Sequence, residues 1–543
     1  MATGSDASEW DHVIVGAGSA GCALAARLSE AGLRVLLLEA GGEPEGRWMR
    51  IPLGVGRIIL DDRVARQFRT EPDPGAAGRS VVWPRGRVLG GSSSINGMIW
   101  VRGDPARWDA WGAEGCPGWG WQEIGARLRA VEDAAMGDPS LRGRGGPIRV
   151  EETHRGDALS EAFIAACQGV GIPATPDYNG AQHEGVGLLQ MNTRRGRRVS
   201  AAAGYLRAAA GRPNLAIRSG ASARRVLFEG RRATGVEYDA PDGLSIARAR
   251  LGVVLAAGAI QSPHLLELSG IGAAERLRAL GIPVVADRPA VGENLSDHFH
   301  IRVTWRSRGV LTVNELLSKP WRHGPIEMLR WQVFGTGLFA GVAATAHALA
   351  RTAPGATRPD MKLQMHKISA ADRTGMAKGA GVDPYPGVSI GYFQLYPESR
   401  GWVHAASPDP SEAPRILPNY LAAEADRAAA LRGLALSRAI AAQAPLARFL
   451  IAEDRPGPGM TEDDALLDYI RRTGNTSYHP VGTCRMGGDA DSVVDPACRV
   501  RGVDGLRVAD ASVMPFLVSS NTNAPSMAIG ENAARIMLAE RNR

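Results

Sequence analysis

Gly16, Gly18 and Gly21 stand in the spacing G-x-G-x-x-G, with Ser19 and Ala20 between the last two. Glu39, followed by Ala40, lies 21 residues beyond Gly18. That set suits the binding of a dinucleotide. Gly16 lets the chain turn tightly, Gly18 lets backbone approach a pyrophosphate, and Gly21 lets a helix pack closely on a strand. The helix that follows offers unpaired N–H groups and a partial positive charge to the phosphates. An acid at position 39 accepts hydrogen bonds from adenosine ribose hydroxyls and repels a 2′-phosphate, which disfavours NADP. The motif alone does not separate FAD from NAD. A second glycine-rich stretch, Gly90-Gly91-Ser92-Ser93-Ser94, has many donors and little bulk, as a loop does when it approaches a phosphate or a ring. Histidine titrates near neutral pH and is the usual proton carrier, yet His479 precedes Pro480, and such a pair most often marks a turn. His298 and His300 flank Phe299 beside Asp297 with no third ligand in view, so no metal site is expected.

The elements that must hold these residues are legible in part. Residues 12–15 read as a buried parallel strand, 21–30 as a small-residue helix, and 35–38 as a second strand. Apolar residues at helical spacing predict a helix over 158–170. Residues 226–228 and 235–238, joined by a Gly-containing turn, predict a β-hairpin. A strand over 253–256 ends near Gly258, and Ser262-Pro263 is expected to open a helix with proline in its first turn. After residue 305 the character changes to a mixed, Pro-punctuated stretch over 306–424, expected to be a separate sheet-bearing domain, with Gln364 and His366 as residues that could equally face a substrate or be structural. Within it, Gly335-Thr336-Gly337 resembles a second nucleotide loop but lacks the strand and acid. Helices are expected over 425–444 and 462–472, the latter with Thr461 as N-cap and Gly474 as terminator. The tryptophans from Trp83 to Trp121 are expected to form a cover around the Gly90-Gly91 loop.

The chain has 543 residues, enough for two to four domains. Its 44% hydrophobic and 22% charged residues are ordinary for a globular protein. The formal charge of +7 comes mostly from dispersed arginine. The densest cluster, Arg194 to Arg198, has no interleaved aromatics and reads as a solvated loop, so nucleic acid is not an expected partner. Five scattered cysteines contain no C-x-x-C pair, which argues against a zinc ribbon or a disulfide framework. The polar N-terminus lacks the parts of a signal peptide, and a cytoplasmic location is expected. Residues 334–350 are uncharged but short and mild for a membrane span. They are read as one buried segment, with peripheral contact to the inner membrane face as the alternative.

Over its whole length the chain resembles the glucose–methanol–choline (GMC) flavoprotein oxidoreductases. The resemblance is carried by GAGSAG…LLLEAGG, RGRVLGGSSSINGM, GAIQSPHLLELSGIG, VGENLSDH, PESRGWVHAASPDP, YHPVGTCRMGGD and NTNAPSMAIGENAA. It looks most similar to the choline and medium-chain alcohol dehydrogenases of that family. The resemblance implies an α/β fold: a discontinuous Rossmann-like FAD domain (1–157, 208–305, 475–543) with an inserted sheet-plus-helices substrate domain (158–207, 306–474). It implies FAD along Gly16, Gly18, Ser19, Ala20, Gly21, Glu39 and Ala40, then along Gly90, Gly91, Ser92, Asn96, Gly97 and Met98. Ala223 would meet the adenine, Asp510 and Ala511 the ribityl–phosphate region, and Pro525 would also touch the cofactor. Some family members attach FAD covalently through a histidine where this chain has Ile95, so non-covalent FAD is expected.

The same resemblance implies oxidation of a primary alcohol by hydride transfer to flavin N5. His479 would act as general base, and Asn523 would donate to the alkoxide oxygen. Intact His479 and Asn523 favour redox chemistry over a lyase, a light-driven decarboxylase or a non-catalytic FAD-binding protein on the same fold. Electrons are expected to pass to a quinone or other carrier, with O2 as the alternative. Neither the particular alcohol nor the oligomeric state is encoded in these motifs.

Overall fold

The strand Gly243–Leu255 runs for 13 residues and carries two kinds of pairing. Its first half joins antiparallel to Arg232–Ala240, which in turn joins Ser222–Glu229. Its last residues pair in parallel with Trp10–Val15 on one side and Leu506–Val508 on the other. Val35–Glu39 and Leu215–Ser219 extend the parallel sheet beyond Trp10–Val15. All five residues of Val35–Glu39 are buried, as expected of a parallel strand covered on both faces. The computed structural model describes residues 9–153, 156–371 and 381–541. Most of the N-terminal stretch read for targeting lies outside them.

The helix Ser19–Glu30 covers this sheet, and the C-terminal helix Asn523–Arg541 packs across it. A Cβ on Gly530 would lie 2.4 Å from the Ala20 carbonyl oxygen, so glycine is what lets the two helices touch. Arg27 closes the crossing with an ion pair to the almost fully buried Glu531 at 2.9 Å. The first and last helices of the chain thus form one layer.

A second, antiparallel sheet has the order Leu450–Arg455, Phe299–Ser307, Gly387–Gln394, Met361–His366, Ala344–Ala350, Gly185–Leu188. Alternation decides its two faces. Ile301, Val303, Leu363, Met365 and Ile390 point into a core shared with the helices Ala158–Gly169 and Glu424–Ala441. His300, Arg302, Lys362, Gln364 and His366 fall on the opposite face and line a large cavity.

Several expected boundaries shift. The strand Phe299–Ser307 belongs wholly to the second sheet, and Asn475–Thr476 pairs with its start, so a division between 305 and 306 would cut a strand. Ala202–Leu206 packs on the helix Ser19–Glu30 and not on the second sheet. The helix expected to open at Ser262-Pro263 is Gly258–Leu268, with Pro263 inside it. It starts early because Asp510 Oδ2 accepts the Gly258 N–H at 2.8 Å. Glu462, not Thr461, is the N-cap of Asp463–Thr473, and Gly474 has φ −61° and is not left-handed. Glycine is needed at 474 because a Cβ would meet the Phe299 ring at 2.3 Å.

Residues 334–350 are not one buried segment. Phe334 is the exposed end of the helix Pro320–Phe334, whereas Ala344–Ala350 is a buried strand. Among the described residues no helix is long and apolar enough to cross a membrane. Three of the tryptophans do not cover the Gly90-Gly91 loop: Trp108, Trp111 and Trp119 stack on one another inside the first core, with centroids 5.3 and 4.9 Å apart.

Candidate active site

A continuous cavity of about 2080 Å³ runs between the two sheets. One end is lined by Gly16, Gly18, Ser19, Ala20, Glu39, Ala40 and Ala223, and the middle by Gly91, Ser92, Asn96, Gly97, Met98, Asp510 and Ala511. His479, Asn521 and Asn523 also line it, together with the second sheet's polar face. Three expected contacts lie behind the wall. Gly21 sits under the turn, where a Cβ would come 1.9 Å from the Gly16 carbonyl oxygen. Gly90 has φ +89° and donates its N–H to the Ala17 carbonyl at 2.8 Å. Pro525 is buried in the first turn of the C-terminal helix. These residues shape the cavity without facing it.

The glycines place two loops in contact. Gly91 has φ +53°, and a Cβ there would meet Gly18 Cα at 2.7 Å. The two loops therefore form a floor of bare backbone. Glu39 accepts the Ala17 N–H at 3.0 Å on one carboxylate oxygen and the Gly41 N–H at 2.9 Å on the other. Burial pushes its carboxyl up to about 7, against these backbone donors. Asp510 is fully engaged through its side chain, accepting from Gly258, Ser262 and Ser512, so only its backbone is left to face the cavity. Met98 holds φ +57°, rare for a residue with a side chain. Its N–H donates to Asn96 Oδ1 at 2.9 Å, and Arg198 donates to the Asn96 carbonyl at 2.6 Å.

His479 is fixed from both sides. Its backbone N–H donates to Asp297 Oδ1 at 2.8 Å, while Asp297 Oδ2 accepts from Tyr420 and Thr476, each at 2.6 Å. Tyr478 before it has φ +66°, held by its N–H to Thr476 Oγ1 at 2.7 Å and by Arg85 donating to its carbonyl at 3.0 Å. Backbone strain of this kind gathers where a site dictates geometry.

The ring's protonation follows from its neighbours. His298 Nε2 lies 3.0 Å from the Leu395 carbonyl, which can only accept, so Nε2 carries a proton. Burial pushes the His298 pKa down to about 3, so the ring is neutral and its Nδ1 is an acceptor. His479 Nδ1, 2.9 Å from His298 Nδ1, must then be the donor. That leaves a lone pair on His479 Nε2, to which Asn521 Nδ2 donates at 3.0 Å. Two groups with no role expected from the sequence therefore set the base: His298, weighed as a metal ligand and set aside, and Asn521.

Asn523 is not beside His479. It opens the C-terminal helix, accepts from Ser19 Oγ at 2.8 Å, and has a buried Nδ2 with no partner among the described residues. Its place is at the Gly18–Ser19 end of the cavity floor, and Asn521 takes the position expected of it. The two asparagines stand either side of Thr522. The motif that pointed to one contained the other.

Two family signatures described as GMC oxidoreductase cover residues 10–300 and 397–530. The chain belongs to the GMC oxidoreductase family. It is 39% identical over 535 residues to an oxygen-dependent choline dehydrogenase of Brucella ovis, spanning 97% of this chain and 95% of that protein. Its fold matches the crystal structure of pyridoxine 4-oxidase from Mesorbium loti with a TM-score of 0.87 and 33% identity, over 97% of this chain and 99% of that one. An FAD-dependent oxidoreductase from Chaetomium thermophilum matches at TM-score 0.86 and 26% identity, over 98% and 100%.

The GMC fold of this chain is accordingly a Rossmann-like FAD domain with a substrate domain, and the protein is an FAD-dependent oxidoreductase. The cavity fits that cofactor on its own evidence. A Cβ on Gly91 would strike Gly18 Cα at 2.7 Å, so glycine keeps the two loops together as bare backbone, and the unpartnered Asn523 Nδ2 offers a donor at the pyrophosphate end.

Proposed function

We propose that this GMC oxidoreductase oxidises the hydroxyl of a primary alcohol, with His479 Nε2 as general base. The observation that carries the reading is the chain from Leu395 O through His298 to His479, which leaves a lone pair on Nε2 inside the cavity. An alcohol entering between Asn521 and His479 donates its O–H to Nε2 and accepts from Asn521 Nδ2. The amide then stabilises the oxygen as its negative charge develops. Bound FAD supplies the two-electron oxidant for the alcohol carbon. Gly16, Gly18–Ala20, Glu39, Gly91–Ser92 and Asn96–Met98 would hold it in place, and their fixed geometry would position the reactants. Anaerobic addition of alcohols in the dark tests the reading: bleaching of the bound flavin is the expected result.

Asn521 and Asn523 separate by experiment. Asn521→Ala lowers the rate of flavin reduction by about 10²-fold, the scale for losing one oxyanion donor. Asn523→Ala acts instead on flavin retention, read as the flavin-to-protein ratio after gel filtration. The opposite pattern would exchange their roles.

FAD is held without a covalent bond. Ile95 lines the cavity and packs with Met49, Ile58, Ala65 and Val88, so this position offers no nucleophile. Acid precipitation therefore leaves the flavin in the supernatant. Yellow colour in the washed pellet would contradict this.

The electron acceptor is proposed to be a quinone or similar carrier, supported by similarity at 40% identity to a mitochondrial choline dehydrogenase of Homo sapiens. The second reading, O2, is supported by the Brucella ovis relative named oxygen-dependent and by the solved neighbour named an oxidase. An oxygen electrode and a quinone-analogue dye assay on one alcohol distinguish them. Hydrogen peroxide formed as fast as dye is reduced would overturn the first.

A further inference from the structure

The polar face of the second sheet carries a lysine where a large part of the cavity wall converges. Lys362 sits on Met361–His366 with its side chain buried, and its neighbours at i+2 and i+4, Gln364 and His366, line the same cavity. On the same face, two strands along, Phe299–Ser307 contributes His300 and Arg302. Gly391, on the strand between, makes room: a Cβ there would strike the His300 ring at 2.6 Å and the His366 ring at 2.8 Å.

Among the described residues the Lys362 ammonium donates to one acceptor, Asn521 Oδ1 at 2.7 Å. The other end of that amide faces His479 Nε2 at 3.0 Å. Lys362 and the base are thus separated by a single amide. Among the described residues no carboxylate lining the cavity comes from this sheet face: the acids lie at residues 39–62 and at Asp239 and Asp510. Asp297, the acid nearest the base, accepts from Tyr420, Thr476 and the His479 backbone.

We propose that Lys362 makes this site selective for alcohols that carry an anionic acceptor, a carboxylate or phenolate, and closes it to quaternary ammonium alcohols. The proposal rests on the alcohol-oxidising reading above. A substrate oxygen between Asn521 and His479 leaves the rest of the molecule against Lys362, whose free N–H groups need an acceptor once desolvated. Burial holds the ammonium down to about 7, and an anion beside it favours the charged form. A quaternary ammonium meets the reverse. It would be desolvated with no counter-carboxylate among the described residues of this sheet face, and the Phe393 ring that would receive it already has Lys362 Nζ 5.7 Å from its centroid. The similarity to choline dehydrogenases therefore does not extend to their named substrate.

Dye-linked kcat/KM of the holoenzyme tests this with matched pairs: 3-(hydroxymethyl)benzoate against benzyl alcohol, and 4-hydroxybutanoate against 1-butanol, with choline alongside. The expected preference for the anionic member is at least 10-fold in both pairs, with no choline turnover above background. In Lys362→Met the preference falls towards one, and in Lys362→Arg it persists. A turnover-free readout uses the flavin absorbance. Benzoate perturbs it with at least 10-fold tighter binding to the parent protein than to Lys362→Met, and benzyltrimethylammonium does not perturb it. Choline oxidised as well as the hydroxy acids, or a preference unchanged in Lys362→Met, would overturn the proposal. If no alcohol reduces the flavin while benzoate still binds through Lys362, the oxidation reading fails and the anion site stands.

Discussion

His479→Ala reduces the rate of anaerobic flavin reduction by 10²-fold or more, the scale for losing a positioned general base, while FAD remains bound. The separation follows from the geometry. His479 reaches the cavity through a side chain held by His298 and Asn521, and its backbone N–H to Asp297 survives the substitution. The floor at Gly18 and Gly91 involves none of these atoms. Truncation leaves the buried His298 Nδ1 without its donor, which costs stability of about 1–3 kcal/mol and lowers the melting temperature without emptying the cofactor site. Stopped-flow reduction and the flavin-to-protein ratio measure the two effects independently. A variant that is reduced at nearly the parent rate would remove His479 from the mechanism.

The second large effect is structural. Gly21→Ala places a methyl 1.9 Å from the Gly16 carbonyl oxygen and 3.1 Å from its carbon, backbone atoms that no rotamer change can move aside. The helix Ser19–Glu30 must lift from the turn that it presses against. Overpacking alone costs about 1–3 kcal/mol, and here the displaced element also carries the N–H groups offered to the pyrophosphate. Colourless or insoluble protein is expected. Gly42→Ala provides the contrast, because nothing lies within 4 Å of its Cβ position and its φ is not left-handed; its flavin content and melting temperature should match the parent. Normal flavin content in Gly21→Ala would show that the turn is looser than its packing indicates.

The nucleotide half of the molecule was legible because its instructions are local. Strand, glycines, helix, second strand and Glu39 follow one another within about thirty residues, and each has a steric or electrostatic reason to be where it is. The alcohol-binding half was not, because its geometry depends on partners far apart in the chain. His298 and His479 are 181 residues apart, and no spacing rule announces their contact. Lys362 could have been found from the alternation of Met361–His366, in which every second residue is polar, but the side facing the cavity is fixed only by pairing with Gly387–Gln394. Asn523 and Asn521 are both plausible in an N-x-N motif. The start of a helix at Asn523 turns one towards Ser19 and leaves the other beside the base. Pro263 and Gly474 misled for a similar reason: local rules for proline and glycine gave way to an Asp510 cap and a Phe299 ring supplied from elsewhere.

The crossing of the first and last helices has a consequence for how the protein is made. Residues 10–39 emerge early in synthesis with the nucleotide motif complete, yet its wall is not. Leu506–Val508 must still join the parallel sheet, Asp510 must still tie down Gly258, and Asn523–Arg541 must still cover Ser19–Glu30. Domains of many proteins fold as units while translation proceeds. This one cannot, since its cofactor cradle is assembled from both termini. A growing chain carries the helix Ser19–Glu30 without its cover until residues 523–541 have been made, and FAD capture waits for them. A frameshift or nonsense codon anywhere before the last helix therefore yields a chain without flavin, however intact its N-terminal motif.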